Sequence, residues 1–397
     1  MKHVIFYFFI FILSLRSQSF QDKNIDHVEY ESISSLKRGY KSYRSNDFFL
    51  KKISERYDFV NYYSLGVTKK NNLNISAVKL TSNNFNDNKI SVFFNCSHHA
   101  DEVASTEHCY DIIYQIIENN EKYKIHLDSL NIWIVPVVNP EGSKIFWEQD
   151  LHKGRKNFMN VDINRNYPFM WGIGGGSSTD INSDIYRGNL SASEIETQSI
   201  INLAQMHNFL FSVSYHAEGK KLLIPYTNDI SINPSENYPK LFGEKIAKKI
   251  NYLALKNLYP VNGTDQDFFY FKYGTIAFLL ESEKRKPQYS RIEAIVKNSE
   301  KLWQEILYES VFGNKIYLKI VNEDDQPISA NIEIKEIKFY NGEKHYSSQF
   351  NGLFNRMVLN ENYTININKE NYEKQSLRIK ATKNNEIKII KMKKIVP

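Results

Sequence analysis

The residues of this chain best equipped for chemistry lie in positions 91–110, SVFFNCSHHADEVASTEHCY. An apolar run, residues 92–94, leads into a polar turn that carries His98, His99, Asp101 and Glu102. His99 and Glu102 form an H-x-x-E pair where a buried strand is expected to end and a helix to begin. Imidazole nitrogen with carboxylate oxygen is a donor mixture that suits Zn²⁺, and three protein ligands with one open position make a catalytic zinc site. Alone, the pair is merely an acid in the first turn of a helix, where the dipole favours negative charge. Repetition gives it weight. Residues 209–215 (FLFSVSY) are a second apolar run, ending at His216, and residues 274–280 (GTIAFLL) are a third, ending at Glu281 with Glu283 just beyond. A carboxylate there has the character of a general base beside a metal. Between these runs, the polar stretches 152–157 and 160–168 supply Arg155, Asn164 and Arg165. Two guanidinium forks and an amide suit the gripping of a carboxylate.

The elements that must hold these groups are legible in outline. Residues 60–68 and 73–80 read as strands, with an Asn/Asp-rich turn at 81–88. A helix is expected from Glu102 to about residue 117, and 130–138 (LNIWIVPVV) reads as a strand buried on both faces. The NPEG of 139–142 reads as a turn. A capped helix is expected over 193–206, with Ser193 and Glu196 at its start. Residues 171–178 (WGIGGGSS) lack the phosphate-binding form of a Gly-rich loop and read as flexible. Strands alternating with helices predict an α/β fold whose chemistry lies in loops at strand ends. From Lys315 onward the pattern changes to short strand-like runs at 315–321, 330–340, 363–368 and 386–392, which predicts a small all-β sandwich.

Composition narrows the function classes. The chain has 397 residues and a formal net charge of +6, and residues 313–397 hold 15 Lys and Arg against 10 Asp and Glu. The near-neutral remainder argues against a nucleic-acid-binding body. Residues 4–15 form an apolar run after a short basic start, with Ser17 and Ser19 following. This reads as a secretory signal over 1–19, too short for a membrane span and with no lipid-anchor cysteine, so export is expected and stable membrane insertion is not. The two cysteines, Cys96 and Cys109, leave a disulfide and two buried thiols equally open.

Taken in order, the segments H-H-A-x-E (98–102), G-R-x-N (154–157), D-x-N-R-N (162–166), Y-R-G (186–188) with S-E-x-E-T (193–197), S-x-H (214–216) and a Tyr259 ahead of the strand-end Glu281 resemble the zinc metallocarboxypeptidases. The likeness covers about residues 28–312. It implies a mixed, largely parallel sheet flanked by helices, with one Zn²⁺ per chain held by His99, Glu102 and His216. It further implies that Glu281 is the general base, that Arg155 polarises the scissile carbonyl, and that Asn164, Arg165 and Tyr259 hold the terminal carboxylate of a peptide. Gln266, followed by Asp267 and an aromatic, lies where the family shapes the terminal side-chain pocket. It is similar to the regulatory subgroup, which removes C-terminal Lys or Arg. That subgroup's second acidic pocket residue falls at Thr227, with Asp229 nearby, and Asp101 replaces the Arg or Gly common at its position. The β-rich end resembles the subgroup's transthyretin-like domain, with Q-P-I-x-A at 326–330 and G-x-F at 352–354. The expected organisation is therefore a signal over 1–19, a catalytic domain over 20–312 and a β-sandwich over 313–397. The expected activity is that of an exported, monomeric exopeptidase acting on the C-termini of peptides or proteins. A zinc amidase of cell-wall peptides and an inactive binding or adhesion module are the alternatives.

Overall fold

The computed structural model describes residues 37–82, 88–233, 237–339 and 341–395, so the expected signal lies outside the described residues. Among these residues the chain runs through α1 (Tyr43–Arg56), β1 (Val60–Val67), β2 (Asn74–Leu80), β3 (Ile90–Cys96), α2 (Val103–Glu118), α3 (Lys124–Ser129), β4 (Leu130–Val135) and α4 (Pro140–Glu148). It continues through α5 (Ile195–His207), β5 (Phe211–Ala217), β6 (Lys221–Leu223), α6 (Tyr238–Ile250), β7 (Leu253–Leu255), α7 (Asp265–Tyr273), β8 (Ile276–Ser282) and α8 (Ile292–Phe312).

The eight strands form one sheet in the order β1-β2-β4-β3-β5-β8-β6-β7. Its centre, β4, β3, β5 and β8, is parallel, while β2 and β6 join it antiparallel. The expected mixed, largely parallel α/β sheet is what the chain adopts. The central strands are buried at nearly every position, as the continuous apolar runs require when helices cover both faces. Alternation along β3 divides its aromatics between two cores. Phe94 packs with Ile113, Phe278, Trp303 and Ile306 on one face, and Phe93 with Trp133, Ile200, Leu203 and Phe269 on the other.

Several local expectations are corrected. The NPEG of 139–142 is the start of α4, where Asn139 accepts from the Gly142 N–H and Pro140 takes the first turn. Turns and proline-led helix starts share that composition. Helix α5 begins at Ile195 without a side-chain cap. Ser193 instead donates to Glu194 and accepts from Asn166. The Gly-rich stretch is pinned: the Gly176 carbonyl accepts from Arg165 Nε at 2.7 Å, and the Ile173 and Gly175 carbonyls accept from Asn262. Gly176 has φ +88°, and a Cβ there would collide with the Pro260 carbonyl. Cys96 and Cys109 are bridged, tying the end of β3 to α2.

After α8 the chain forms β9 (Lys315–Val321), β10 (Asn331–Ile334), β11 (His345–Tyr346), β12 (Leu353–Met357), β13 (Asn362–Asn368), β14 (Gln375–Lys380) and β15 (Lys388–Lys391). They make a four-stranded and a three-stranded sheet around a shared core of Leu318, Ile320, Ile332, Phe354, Ile365 and Ile367. β12 escapes a reading by pattern because its Asn355 and Arg356 are buried, at 3% and 5% exposure. Tyr317, Leu353 and Met357 leave this sandwich to join the core of the large sheet.

Candidate active site

His99 and Glu102 follow the carboxyl end of β3, His216 lies near the end of β5, and Glu281 near the end of β8. Because these strands are parallel neighbours, with His216 opposite Glu281 in register, their ends converge on one rim. Glu102 occupies the N-cap position of α2 but makes no cap hydrogen bond. Its carboxylate turns instead toward His99 Nδ1 at 3.0 Å and His216 Nδ1 at 3.2 Å, and accepts from the Ala217 N–H at 3.0 Å.

The outer nitrogen of each ring is already engaged. His99 Nε2 faces Asp162 Oδ1 at 3.0 Å, and His216 Nε2 faces Ser214 Oγ at 3.2 Å and Asn164 Nδ2 at 3.4 Å. A carboxylate on Nε2 sets the His99 tautomer and leaves the Nδ1 lone pair directed at the cluster. The two Nδ1 atoms are 3.2 Å apart, a repulsive pairing of lone pairs that a cation between them relieves. Donors about 2.0–2.2 Å from a tetrahedral zinc sit roughly 3.4 Å from each other, close to the separations seen. Among the described residues, His99, Glu102 and His216 are the group whose donor atoms meet closely enough to hold a metal. The donor set and spacing therefore fit Zn²⁺. His98 does not join them: it is buried, with Nε2 2.9 Å from the Tyr167 hydroxyl.

Two carboxylates at this point are held in their charged form. Burial opposes the Glu102 charge, yet His99 and His216 overcome it and hold the carboxyl well below its ordinary value. Asp162 is likewise held low against its burial by Arg155, His99 and Arg165. Arg155 donates to Asp162 at 2.6 Å and to the Asp184 carbonyl, placing its Nη1 3.7 Å from Glu102 Oε1. Glu281 stands apart. Burial, and then the negative charge of Glu102, push its carboxyl up to about 8, and its buried Oε2 has no protein partner. A cation at the cluster acts in the opposite direction and favours the ionised form.

The residues to which the resemblance gives site roles line one cavity of about 230 Å³: His99, Glu102, His216, Glu281, Arg155 and Asn164 with Arg165, Tyr259 and Gln266. Arg165 is oriented by the Gly176 and Asn164 carbonyls, and Tyr259 is 53% exposed at the rim. Asn164 also accepts from the Asp265 N–H. Gln266, the second residue of α7, donates Nε2 to Thr227 at 3.2 Å, and keeps its buried Oε1 without a protein partner. Asp267 faces away from the cavity and accepts from the Thr227 N–H and hydroxyl and from Asn228. Two participants were missed as individuals. Asp162 was seen only as the first letter of D-x-N-R-N, although its side chain also accepts from the Asn164 N–H. Arg285, which lines the cavity and pairs with Asp101 at 3.2 Å, carries no sequence signal beyond its position after β8.

The model of the zinc carboxypeptidase family, peptidase family M14, matches residues 47–304. The chain belongs to this family. Mast cell carboxypeptidase A of Mus musculus is 31% identical over 160 residues, covering 36% of this chain and 37% of that protein. Carboxypeptidase O of Homo sapiens is 27% identical over 245 residues, covering 57% and 63%. The chain thus spans from about a third to under two thirds of the length of the curated relatives it matches. Carboxypeptidase A from Helicoverpa armigera superposes with a TM-score of 0.65 at 20% identity, covering 75% of this chain and 80% of that one. This superposition shows the carboxypeptidase fold.

Proposed function

We propose that this chain is a zinc-dependent carboxypeptidase that hydrolyses the last peptide bond of peptides or proteins. The observation that carries the reading is the convergence of the three donors, a buried acid and two arginines on a single cavity. His99, Glu102 and His216 hold the metal, which supplies Lewis acidity at that point. Asn164, Arg165 and Tyr259 hold the terminal carboxylate, placing the last peptide carbonyl beside Arg155. Glu281 takes a proton from the attacking water as its oxygen adds to the carbonyl carbon. Arg155 stabilises the oxyanion that develops. The same proton then passes to the amide nitrogen as the C–N bond breaks and the terminal amino acid leaves.

The pocket for the terminal side chain supports a mild preference for basic residues. The free Gln266 Oε1 accepts a hydrogen bond from a donor such as Lys or Arg, but Asp267 is turned away and Thr227 adds no charge. Export is supported by the apolar run at 4–15 and by the Cys96–Cys109 bridge, which persists in oxidising compartments. No helix among the described residues is long and apolar enough to cross a membrane. A catalytic unit ending near Phe312 and a sandwich beginning near Lys315 form the domain division we infer.

The test is metal content together with amino acids released from a peptide panel, comparing wild type with Glu281→Gln. We expect one zinc in both proteins, and stepwise C-terminal trimming in the wild type that falls by about 10²–10⁴-fold in the variant. Release only from peptides ending in D-residues moves the substrate to cell-wall peptides. Zinc binding without any hydrolysis removes the enzymatic reading.

A further inference from the structure

The sandwich reaches across toward the pocket through Glu343 and Asn341. Glu343, 9% exposed, accepts from the hydroxyl of the fully buried Tyr226 at 2.6 Å through Oε1 and from the Asn341 N–H at 3.0 Å through Oε2. Asn341 in turn pairs with the backbone of Ile232, its Oδ1 accepting from the Ile232 N–H at 2.9 Å and its Nδ2 donating to the Ile232 carbonyl at 2.6 Å. A carboxylate and a carboxamide from the sandwich therefore hold both ends of the segment 226–232, and that segment reaches the pocket through the contact of Thr227 with Gln266, which lines the cavity. Thr227, next to Tyr226, accepts from Gln266 Nε2 and is bound to Asp267 through its N–H and hydroxyl.

A second contact fixes the helix that carries Gln266. Gly274 ends α7 at φ +71°, and a Cβ there would overlap the Arg356 guanidinium. Arg356 lies 3.0 Å from His345 Nδ1 and packs over the rings of Phe339 and Tyr270. A cation at a helix C-terminus complements the dipole. Tyr270 of α7 also meets Tyr226 edge to face at 5.2 Å. The sandwich thus holds both supports of the Gln266 carboxamide, the 226–232 segment and α7, at contacts remote from the metal donors.

We propose that Glu343 and Asn341 are positioning residues for terminal side-chain selection, acting through Tyr226 and Thr227 on Gln266, so that the C-terminal sandwich sets the specificity of the pocket. The proposal rests on the carboxypeptidase reading for its substrate. In Glu343→Gln one carboxylate oxygen becomes an amide donor, so the side chain no longer accepts from both the Tyr226 hydroxyl and the Asn341 N–H, and Tyr226→Phe removes the hydroxyl donor; each variant leaves a buried partner unpaired and loosens the segment it held.

The test compares wild type, Glu343→Gln, Tyr226→Phe and the distant sandwich-core variant Ile390→Ala in the full chain. Two quantities are read: the ratio of kcat/KM for peptides ending in Lys against Ala, and amide exchange at Thr227 and Asn228. We expect Glu343→Gln and Tyr226→Phe to shift the ratio at least five-fold and to speed exchange at both amides at least ten-fold. Ile390→Ala lowers Tm with neither effect. An unchanged ratio in the two clamp variants, or an equal shift in Ile390→Ala, overturns the proposal while leaving the carboxypeptidase reading intact. If the wild type releases no amino acid, that reading fails by itself, and exchange then decides the clamp: unaltered protection at Thr227 and Asn228 refutes it.

Discussion

Glu102 sits where a helix would ordinarily receive its cap, and the helix goes without one. The H-x-x-E spacing was readable because it places two donors across one turn, but what sets their direction was not. Asp162 performs that task by engaging His99 Nε2 and Arg155 together, and nothing in a lone aspartate distinguishes it before the chain folds. We expect Asp162→Asn to weaken metal binding about 10–100-fold, measured by competition against a chelator, with the fold retained by circular dichroism. Asp267 makes a second case at this scale. Its burial pushes the carboxyl up to about 6 despite the donors around it. A folded-state pKa above the unfolded value of about 3.9 means that the folded protein binds the proton more tightly. The stability this contributes is therefore full below that unfolded value and lost as pH rises through 6. Relative to Asp267→Asn, wild-type stability should fall by on the order of 3 kcal/mol between pH 4 and 7 in urea unfolding. A flat difference would show that the carboxyl is ionised throughout.

At the scale of elements, the apolar runs placed β3, β4, β5 and β8 because strands buried on both faces need little else in their sequence. Two stretches escaped the reading because their polar groups serve contacts elsewhere. β12 spends Asn355 on the Asn208 carbonyl and Arg356 on His345, and the Gly-rich 171–178 stretch spends its carbonyls on Arg165 and Asn262. Such roles depend on partners far away in the chain, which composition does not disclose. The disulfide belongs to this scale too. Its separation of 13 residues encloses His99 and Glu102 in one covalent ring. Cys109→Ser should lower unfolding free energy by about 3 kcal/mol, checked by denaturant midpoints under non-reducing conditions. A reductant should bring the wild type to the same value.

For the whole molecule, the sandwich is bound to the large sheet by apolar contact as well as by the polar clamp. Tyr317, Leu353 and Met357 lie at 2%, 2% and 1% exposure in the core of the large sheet. Each buried side chain of this kind contributes about 1.5–3 kcal/mol. A chain ending at Phe312 should therefore unfold roughly 10 °C or more below the full-length protein by calorimetry, or aggregate through the exposed patch. Equal Tm values would show that the sandwich is an independent appendage.

The register between β3 and β5 has a further consequence, for the order of events in folding. His99 and Glu102 are neighbours along the chain, but His216 comes more than a hundred residues later and reaches them only once Cys96 has paired with Tyr215 across the two strands. Closing so long a loop is slow relative to forming local contacts. A nascent chain thus offers two donors early and the third only when the central sheet is complete. A metal held by all three donors would be captured only at that late stage, and its binding energy would be added to the folded state.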